Sequence, residues 1–218
     1  MSNPSTSDSS ECNDNLIKMN ISIDEEDYKQ NLENENFLKT VLTVCDKWDK
    51  KVSNYIYNIE VNDWIEKIIY IFARIFNSDL IIIFYILLFL YHSFVNKNYF
   101  FVVKPLVHVF IVFLLTGILK FSFKRPRPEI NENVKRRYNV RKKENNFSLP
   151  SGDSMQAANF AIIFLFYSGS YIGFILLPFV MFARIFYFCH YLLDTVIGAI
   201  IGLGVSFYIT FPLKSLNL

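Results

Sequence analysis

The sequence has few cysteines, and they are badly placed for cross-linking or metal binding. Its 218 residues include three of them, Cys12, Cys45 and Cys189. An odd number at wide spacing excludes a disulfide framework and a cysteine-based zinc motif. Cys189 lies among apolar residues, so we expect it to pack rather than react.

Charge is almost absent from the last third of the chain. Residues 151–218 hold four charged side chains, whereas residues 1–36 carry nine acidic and two basic ones, and residues 120–150 carry ten basic and three acidic ones. Apolar residues make up 52% of the sequence, and 23 residues are Phe. This segregation excludes an ordinary soluble domain and indicates an apolar body with an acidic tail and a basic loop. Blocks of one sign are usually solvated or face phosphate groups.

Two domains follow from this composition. Residues 1–36 have too little apolar surface to offset the entropy of ordering, so they are predicted to be a disordered acidic tail. Residues 37–218 are predicted to form one integral membrane domain, with 120–150 as its basic loop.

Two amphipathic helices precede the most apolar part of the chain. From Phe37 to Ile59, apolar residues recur at threes and fours, and the charged residues from Asp46 to Lys51 lie mainly on the other face. A second helix, about 64–76, starts at a capping signal formed by Asp63 and Glu66. Both are predicted to lie in the membrane interface or to pack on the bundle.

Five apolar stretches then approach the length of a membrane span. Backbone groups in lipid must bond internally, so each is predicted to be a helix. The fold class is therefore an all-α membrane protein: a bundle of about five transmembrane helices plus one or two amphipathic helices. Pro178 would kink one span, and Gly198, Gly202 and Gly204 favour close helix contacts. The predicted spans are Leu80–Val95, Tyr99–Leu119, Ser151–Tyr167, Tyr171–Phe188 and Tyr191–Phe211.

Alternating spans would place two connections on one side of the membrane, and three groups of polar residues lie there. In the third group, His190 and Asp194 are four residues apart, so they would share a face if the segment were helical. A carboxylate on one ring nitrogen makes the other a better nucleophile. Arg184 offers a planar fork to phosphate oxygens. The alternative is three polar residues that satisfy one another within a bundle.

The other two groups are less specific when taken alone. Ser151 and Gly152 lie where a helix begins, and the free amides and the helix dipole there favour binding of an anion. The alternative is that these residues form only a turn that caps the helix. The run from Lys120 to Pro128 supplies fixed positive charge, or merely sets topology.

All three groups in this order resemble the signature of the type 2 phosphatidic acid phosphatase and vanadium haloperoxidase superfamily. The pattern is Lys-x6-Arg-Pro, then Pro-Ser-Gly, then Arg-x5-His-x3-Asp, and the resemblance covers roughly residues 64–211. The run Leu119–Pro128, the long polar loop and the amphipathic helices further resemble the polyisoprenoid diphosphate phosphatase branch.

The resemblance implies a membrane-bound lipid phosphate phosphohydrolase with a six-helix core. His190 would attack phosphorus and form a phosphohistidine, and Asp194 would orient it. No metal or other cofactor enters this scheme, because basic residues neutralise the transition state. The expected partners are a phosphorylated lipid, either an isoprenoid phosphate or diphosphate or phosphatidic acid, and membrane lipids, with no nucleic acid. The implied phosphate-binding residues are Lys120, Arg127, Ser151, Gly152 and Arg184.

Two positions depart from the family pattern. Ala183 replaces a usual serine, and Asp153 replaces the histidine that protonates the leaving oxygen in relatives. Asp153 would be a neutral acid that substitutes for the histidine, an ionised carboxylate that gives no proton, or a metal ligand. The ionised case favours a diphosphate substrate, because a phosphate leaving group needs no proton whereas an alkoxide does.

Three competing interpretations remain. The first is a catalytically impaired relative that binds or moves phospholipid, supported by Asp153. The second is an ion channel or transporter, which the ordered motifs disfavour, and the third is soluble haloperoxidase chemistry. His92 and His108 are expected to be helix–helix partners. The positive-inside rule places the loop at 120–150 and the N-terminus on the cytoplasmic side. The lipid phosphatase interpretation places the protein in the endoplasmic reticulum or another endomembrane.

Overall fold

The computed structural model describes residues 37, 39–77, 80, 81, 83, 87, 90, 100–130, 134–141 and 146–215. The predicted acidic tail, residues 1–36, lies outside them, as do His92 and most of the predicted first span. The contacts of the chain divide it into two units, Met1–Trp48 and Asp49–Leu218. In the first unit, residues 39–48 are helical. The candidate site lies within the second unit.

The second unit is helical, and its described residues include no β-strand. The described residues between 80 and 90 are helical as well. Its principal helices are α1 (residues 49–57), α2 (Asp63–Ile75), α3 (Phe100–Phe123), α4 (Gly152–Ser168), α5 (Ile172–Phe186) and α6 (Leu192–Ser215).

Two helices of the described part of the chain are long and apolar enough to cross a bilayer. These segments are Pro105–Phe123 in α3 and Leu192–Thr210 in α6. Helix α5 is apolar but has 15 residues, and α4 has 17. Both are shorter than the roughly 20 residues of a typical span. The all-α membrane fold is as predicted, although its two middle helices are short.

Helix α3 extends beyond its predicted end at Leu119. Because no breaker occurs before Pro126, the helix continues to Phe123. Lys120 therefore lies within its last turn rather than at the start of the loop.

Helix α4 is central, because it packs most extensively on α6 and also contacts α5 and α3. Two glycines of α6 allow the close approach. A Cβ at Gly198 would lie 2.6 Å from the Ser151 carbonyl oxygen, and one at Gly202 would lie 2.5 Å from that of Met155. The third glycine predicted to make such a contact, Gly204, instead faces open space.

A buried polar network joins the helices inside the bundle. Gln156 donates to the Val109 carbonyl oxygen at 3.1 Å, and Ser206 donates to Asn159 at 2.7 Å. His108 is buried and interacts with the Asn159 side chain. His108 is thus placed as the helix–helix partner that the sequence suggested.

Helix α1 packs differently from the amphipathic prediction. Asp49 was assigned to the outer polar face, yet its side chain is fully buried, whereas Tyr55 is 74% exposed. The reason is that the Asp49 side chain meets a polar backbone group, the Leu193 amide, at 2.8 Å.

Candidate active site

A cavity of about 410 Å³ opens beside α2, α3, α4 and α5. Three cationic side chains and one carboxylate line it, which leaves an excess of positive charge suited to an anion. Small and apolar residues from the end of α2 and the middle of α3 form part of the lining. They include Phe76, Phe113, Thr116 and Gly117. The polar lining residues are Lys120, Arg127, Asn146, Asp153, Gln156, Arg184 and His190.

His190 lies in the turn between α5 and α6 and is 1% exposed. Its Nδ1 is 2.7 Å from the carbonyl oxygen of Ser148 and 3.8 Å from Asp194 Oδ2. A carbonyl can only accept, so Nδ1 carries the proton and the Nε2 lone pair is available as a nucleophile. The main-chain carbonyl, rather than Asp194, makes the shorter contact that fixes this tautomer.

Arg127 brings its guanidinium to within 3.4 Å of His190 Nε2. Its Nη1 donates to the Cys189 carbonyl oxygen at 2.6 Å, and its Nε donates to the Asn146 carbonyl oxygen at 2.7 Å. The Asn146 side-chain oxygen accepts from Arg127 Nη2 at 2.5 Å and from Lys120 Nζ at 3.2 Å. Asn146 therefore holds the two cations of the first motif together.

Arg184 and Asp153, which also line the cavity, form an ion pair. Arg184 Nη1 lies 2.8 Å from Asp153 Oδ2, and the Arg184 side chain is 2% exposed. Arg184 also donates to the Ala73 carbonyl oxygen at 3.3 Å. The pair therefore brings a carboxylate and a buried guanidinium into direct contact at the cavity. Asp153 also lies in the first turn of α4, where the helix dipole favours negative charge.

Ser151 and Gly152 have different environments in the structure. Ser151 is fully buried as the N-cap of α4, and its hydroxyl oxygen accepts from the Ser154 amide and hydroxyl at 3.4 and 3.0 Å. It does not line the cavity, whereas Gly152 does. Gly152 begins α4, so its amide has no partner within the helix and can bind an anion.

Asp194 is buried behind the cavity wall and is not part of its lining. Its Oδ1 pairs with Arg125 Nη1 at 2.6 Å, and its Oδ2 accepts from the Tyr191 amide at 2.9 Å. Arg125 also binds Asp49 Oδ2 at 2.7 Å. Burial lowers the pKa of Arg125, but Asp194 and Asp49 outweigh burial, so the pKa is raised and the guanidinium stays protonated.

Sequence reasoning missed four residues of this arrangement: Asp49, Arg125, Asn146 and Ser148. Arg125 lies inside the first motif, between Lys120 and Arg127, which was a usable signal. Ser148 is fully buried, and its hydroxyl donates to the Pro126 carbonyl oxygen at 3.0 Å. No feature of the sequence around Asp49 marks it as part of a site. Within the described part of the chain, no group of three or more His, Cys, Asp or Glu side chains is placed to hold a metal ion.

A helical membrane bundle with a cationic cavity and a histidine at its wall is typical of a phosphate-handling membrane protein. The model of the PAP2 superfamily matches residues 101–214, more than half of the chain. The chain belongs to the PAP2 superfamily, as the motifs predicted, and it is an enzyme of the phosphoric-ester hydrolase class. No curated protein sequence matches it significantly.

The solved structures that share the fold include two lipid-related phosphatases. The first transmembrane PAP2 type phosphatidylglycerolphosphate phosphatase from Bacillus subtilis superposes with a TM-score of 0.66 at 20% identity, covering 79% of this chain and 87% of that chain. Aquifex aeolicus LpxE superposes with a TM-score of 0.56 at 23% identity, covering 73% and 93%. At these identities the likeness supports the fold alone.

Proposed function

We propose that this protein removes phosphate from a membrane lipid through a phosphohistidine formed on His190. The observation that carries the proposal is the shared cavity: His190, Lys120, Arg127 and Arg184 all line it. The hydrogen bond from Nδ1 to Ser148 leaves Nε2 as the nucleophilic nitrogen. A nucleophile surrounded by fixed cations suits phosphoryl transfer, where positioning and charge stabilisation supply most of the catalysis.

The reaction has two steps. Nε2 attacks phosphorus, the bond to the leaving oxygen breaks, and the leaving group departs with the electron pair. Water then attacks phosphorus, the P–N bond breaks, and inorganic phosphate leaves while the ring is regenerated. Lys120, Arg127 and Arg184 hold the non-bridging oxygens, and the Gly152 amide completes the site. Ser151 contributes by capping α4, and Asp194 contributes from behind the imidazole.

The shape of the cavity supports a lipid substrate. Phe113, Gly117 and Lys120 line it from one face of α3. At 1.5 Å per residue, this face extends for about 10 Å from an aromatic ring to an ammonium group. Phe113 is half-exposed, on the side of α3 that also presents Phe110 and Leu114 outward. A phosphate at the cationic end would therefore direct its apolar chain towards the lipid.

The ion pair between Asp153 and Arg184 favours a diphosphate among lipid substrates. An ionised Asp153 has no proton to give to an alkoxide. A phosphate leaving group needs none, so an isoprenoid diphosphate is a better substrate than phosphatidic acid. This refinement agrees with the resemblance of Leu119–Pro128 to the polyisoprenoid branch.

The same ion pair supports one alternative. Asp153 pairs with the Arg184 guanidinium, which would otherwise bind phosphate. Such a pair is expected in a catalytically impaired relative that binds or translocates phospholipid. The two functions differ in one result, which is phosphate release that depends on His190.

The test is phosphate release by the purified protein in detergent with a chelator present. Farnesyl diphosphate and phosphatidic acid are offered separately, and His190→Ala is the control. We expect release from farnesyl diphosphate that disappears in the variant. A folded protein that releases no phosphate from either lipid, with or without magnesium, would support the impaired relative.

Asp153→His tests the substrate preference. The new imidazole can protonate an alkoxide, so phosphatidate hydrolysis should rise by an order of magnitude or more, within the usual range for a general acid. Hydrolysis of the diphosphate should change little. Equal changes in both rates would rule out the leaving-group argument.

We further propose that the site faces the cytoplasm from the endoplasmic reticulum or another endomembrane. The ten basic residues of 120–150 support this sidedness. Asn146 belongs to an Asn-Phe-Ser sequon, but it binds Lys120 and Arg127 and is expected to stay unglycosylated. Glycosylation of Asn20, whose sequon lies outside the described residues, would reverse the assignment.

A further inference from the structure

One face of α1 is directed at the turn that carries His190. Asp49, Ser53 and Tyr57 are spaced by four residues, so they share a helix face. All three are buried, with exposures of 0%, 0% and 3%. Asn54 and Tyr55, on other faces of the helix, are exposed. We call Asp49, Ser53 and Tyr57 the inner face of α1.

Each member of the inner face contacts the segment around His190. Asp49 Oδ1 accepts from the Leu193 amide at 2.8 Å, and Ser53 Oγ accepts from the Leu192 amide at 2.9 Å. These are first-turn amides of α6, which have no partner within that helix. Tyr57 stacks on Phe188 with ring centroids 4.3 Å apart.

The stacking on Phe188 supports a backbone conformation that a bulky residue rarely adopts. Phe188 has a φ of 52°, in the left-handed region. Such a conformation is unfavourable for a bulky residue and persists only when its surroundings hold it. Helix α1 therefore supports the turn on both sides of His190.

Arg125 links this support to the chemistry. It bridges Asp49 at 2.7 Å and Asp194 at 2.6 Å, and its guanidinium lies 4.4 Å above the centre of the Tyr191 ring. The bridge neutralises part of the negative charge behind the imidazole. It also holds the Asp194 carboxylate where it bonds the Tyr191 amide.

We propose that Asp49 and Arg125 are positioning residues that hold Asp194 and the start of α6, and so set the orientation and proton affinity of His190. The proposal rests on the proposed function in assigning chemistry to His190. Without Arg125, Asp49 and Asp194 would lose the cation that they share, and Asp194 lies 3.8 Å from the ring nitrogen Nδ1. Nearby negative charge favours the protonated imidazole, which cannot attack phosphorus.

Charged groups on every element around His190 contribute to its titration. Asp194 comes from α6 and Asp49 from α1, while Arg125 and Arg127 come from the segment after α3. The cavity that His190 lines adds three further charged side chains: Lys120, Asp153 and Arg184. Arg125 bridges two buried carboxylates, so its removal leaves both of them without that cation.

The experiment titrates the imidazole of His190 by ¹⁵N NMR on the full-length protein in detergent. The chain has three histidines, and the signal that is lost in His190→Ala is assigned to His190. We expect Arg125→Gln to raise the titration midpoint by about one pH unit. Arg125→Lys, which keeps the charge, should stay near the parent value. In the double variant Asp49→Asn with Arg125→Gln, the midpoint should return towards the parent value, because one uncompensated carboxylate remains instead of two.

Two further variants separate charge from packing. Ser53→Ala removes one cap of α6 without changing charge, so the melting temperature should fall while the midpoint stays. Asn54→Ala, on an exposed face of α1, should change neither. A folded Arg125→Gln protein whose midpoint equals the parent value would overturn the proposal.

Activity gives a second readout. The acidic limb of the pH profile of kcat for Arg125→Gln should move to higher pH by the same amount. One pH unit below the new midpoint, kcat of the variant should be about tenfold below its own plateau value. The NMR titration needs no turnover. A parent protein without phosphatase activity would therefore contradict the proposed function and still leave the positioning proposal open to its own test.

Discussion

At the scale of single residues, Asn146 controls the two cations of the first motif. Its side-chain oxygen accepts from Lys120 and Arg127 at once, as a phosphoryl oxygen would. A neutral amide oxygen is a weak acceptor compared with phosphate, so substrate can replace it. The amide thereby keeps both cations in place without neutralising either of them.

Asn146→Asp should convert this weak competitor into a strong one. The added carboxylate would pair with Lys120 and Arg127, and we expect KM to rise about tenfold, equivalent to about 1.4 kcal/mol of binding. Steady-state kinetics on a lipid substrate would measure the change. Asn139→Asp, in the same loop but outside the cavity lining, is the matched control. Equal KM values for the two variants would contradict this role for Asn146.

The sequence predicted the residues with a local signature and missed those defined by distant contacts. Lys120, Arg127, Arg184 and His190 stand in motifs, and they line one cavity. Asp49 acts on an amide 144 residues away. A helical period that marks Asp49 as polar says nothing about which backbone groups it meets. The hydrogen-bond partner of Asp49, the Leu193 amide, could therefore be identified only from the structure.

At the scale of helices, the contact between α4 and α6 positions the second motif against the third. Gly198 lies directly over Ser151, whose amide donates to the Asp194 carbonyl oxygen at 3.0 Å. A side chain at this point would push the start of α4 away from α6. Gly152 and Asp153 would move with it.

Gly198→Ala should therefore impair both stability and activity. The new Cβ would meet a backbone oxygen at 2.6 Å. Overpacking of this kind costs about 1–3 kcal/mol. Gly204→Ala, in the same helix with open space around it, should be neutral or stabilising by up to about 1 kcal/mol, because alanine favours helix. Thermal unfolding of both variants in detergent would contradict the account if Gly198→Ala were the more stable.

The elements themselves were largely predictable, because apolar length and periodicity are local properties. The starts of α2 and α4 fell within one residue of prediction, at Asp63 and Gly152. The buried side of α1 was not predictable in the same way. Its exposed apolar residues match lipid as well as a protein core, so hydrophobicity could not decide which face turns inward.

At the scale of the whole molecule, the outer surface continues the apolar character of the spans. On α2, Trp64, Ile68, Ile71 and Ile75 are exposed at helical spacing, whereas Glu66 on the inner face is buried. Apolar side chains on the outer face and a polar side chain on the inner face are the reverse of the pattern on a surface helix of a soluble protein. Helix α2 is therefore expected to lie against lipid.

Trp64 provides a probe of this arrangement. The chain has two tryptophans, so Trp48→Phe leaves Trp64 as the only one. In bilayers of brominated lipid, we expect strong quenching of its fluorescence, because the indole contacts acyl chains. Soluble iodide should quench it weakly. The opposite pattern would mean that α2 lies in water.

The most direct test of the central claim is to trap the phosphoenzyme. The purified protein is mixed with a lipid diphosphate labelled with ³²P at its terminal phosphate, then quenched in base within milliseconds. The account predicts a protein-bound label that is stable in base and labile in acid, as expected for phosphohistidine, and that is absent from His190→Ala. Steady phosphate release with no such label, or with equal label in the variant, would contradict the assignment of His190 as the nucleophile.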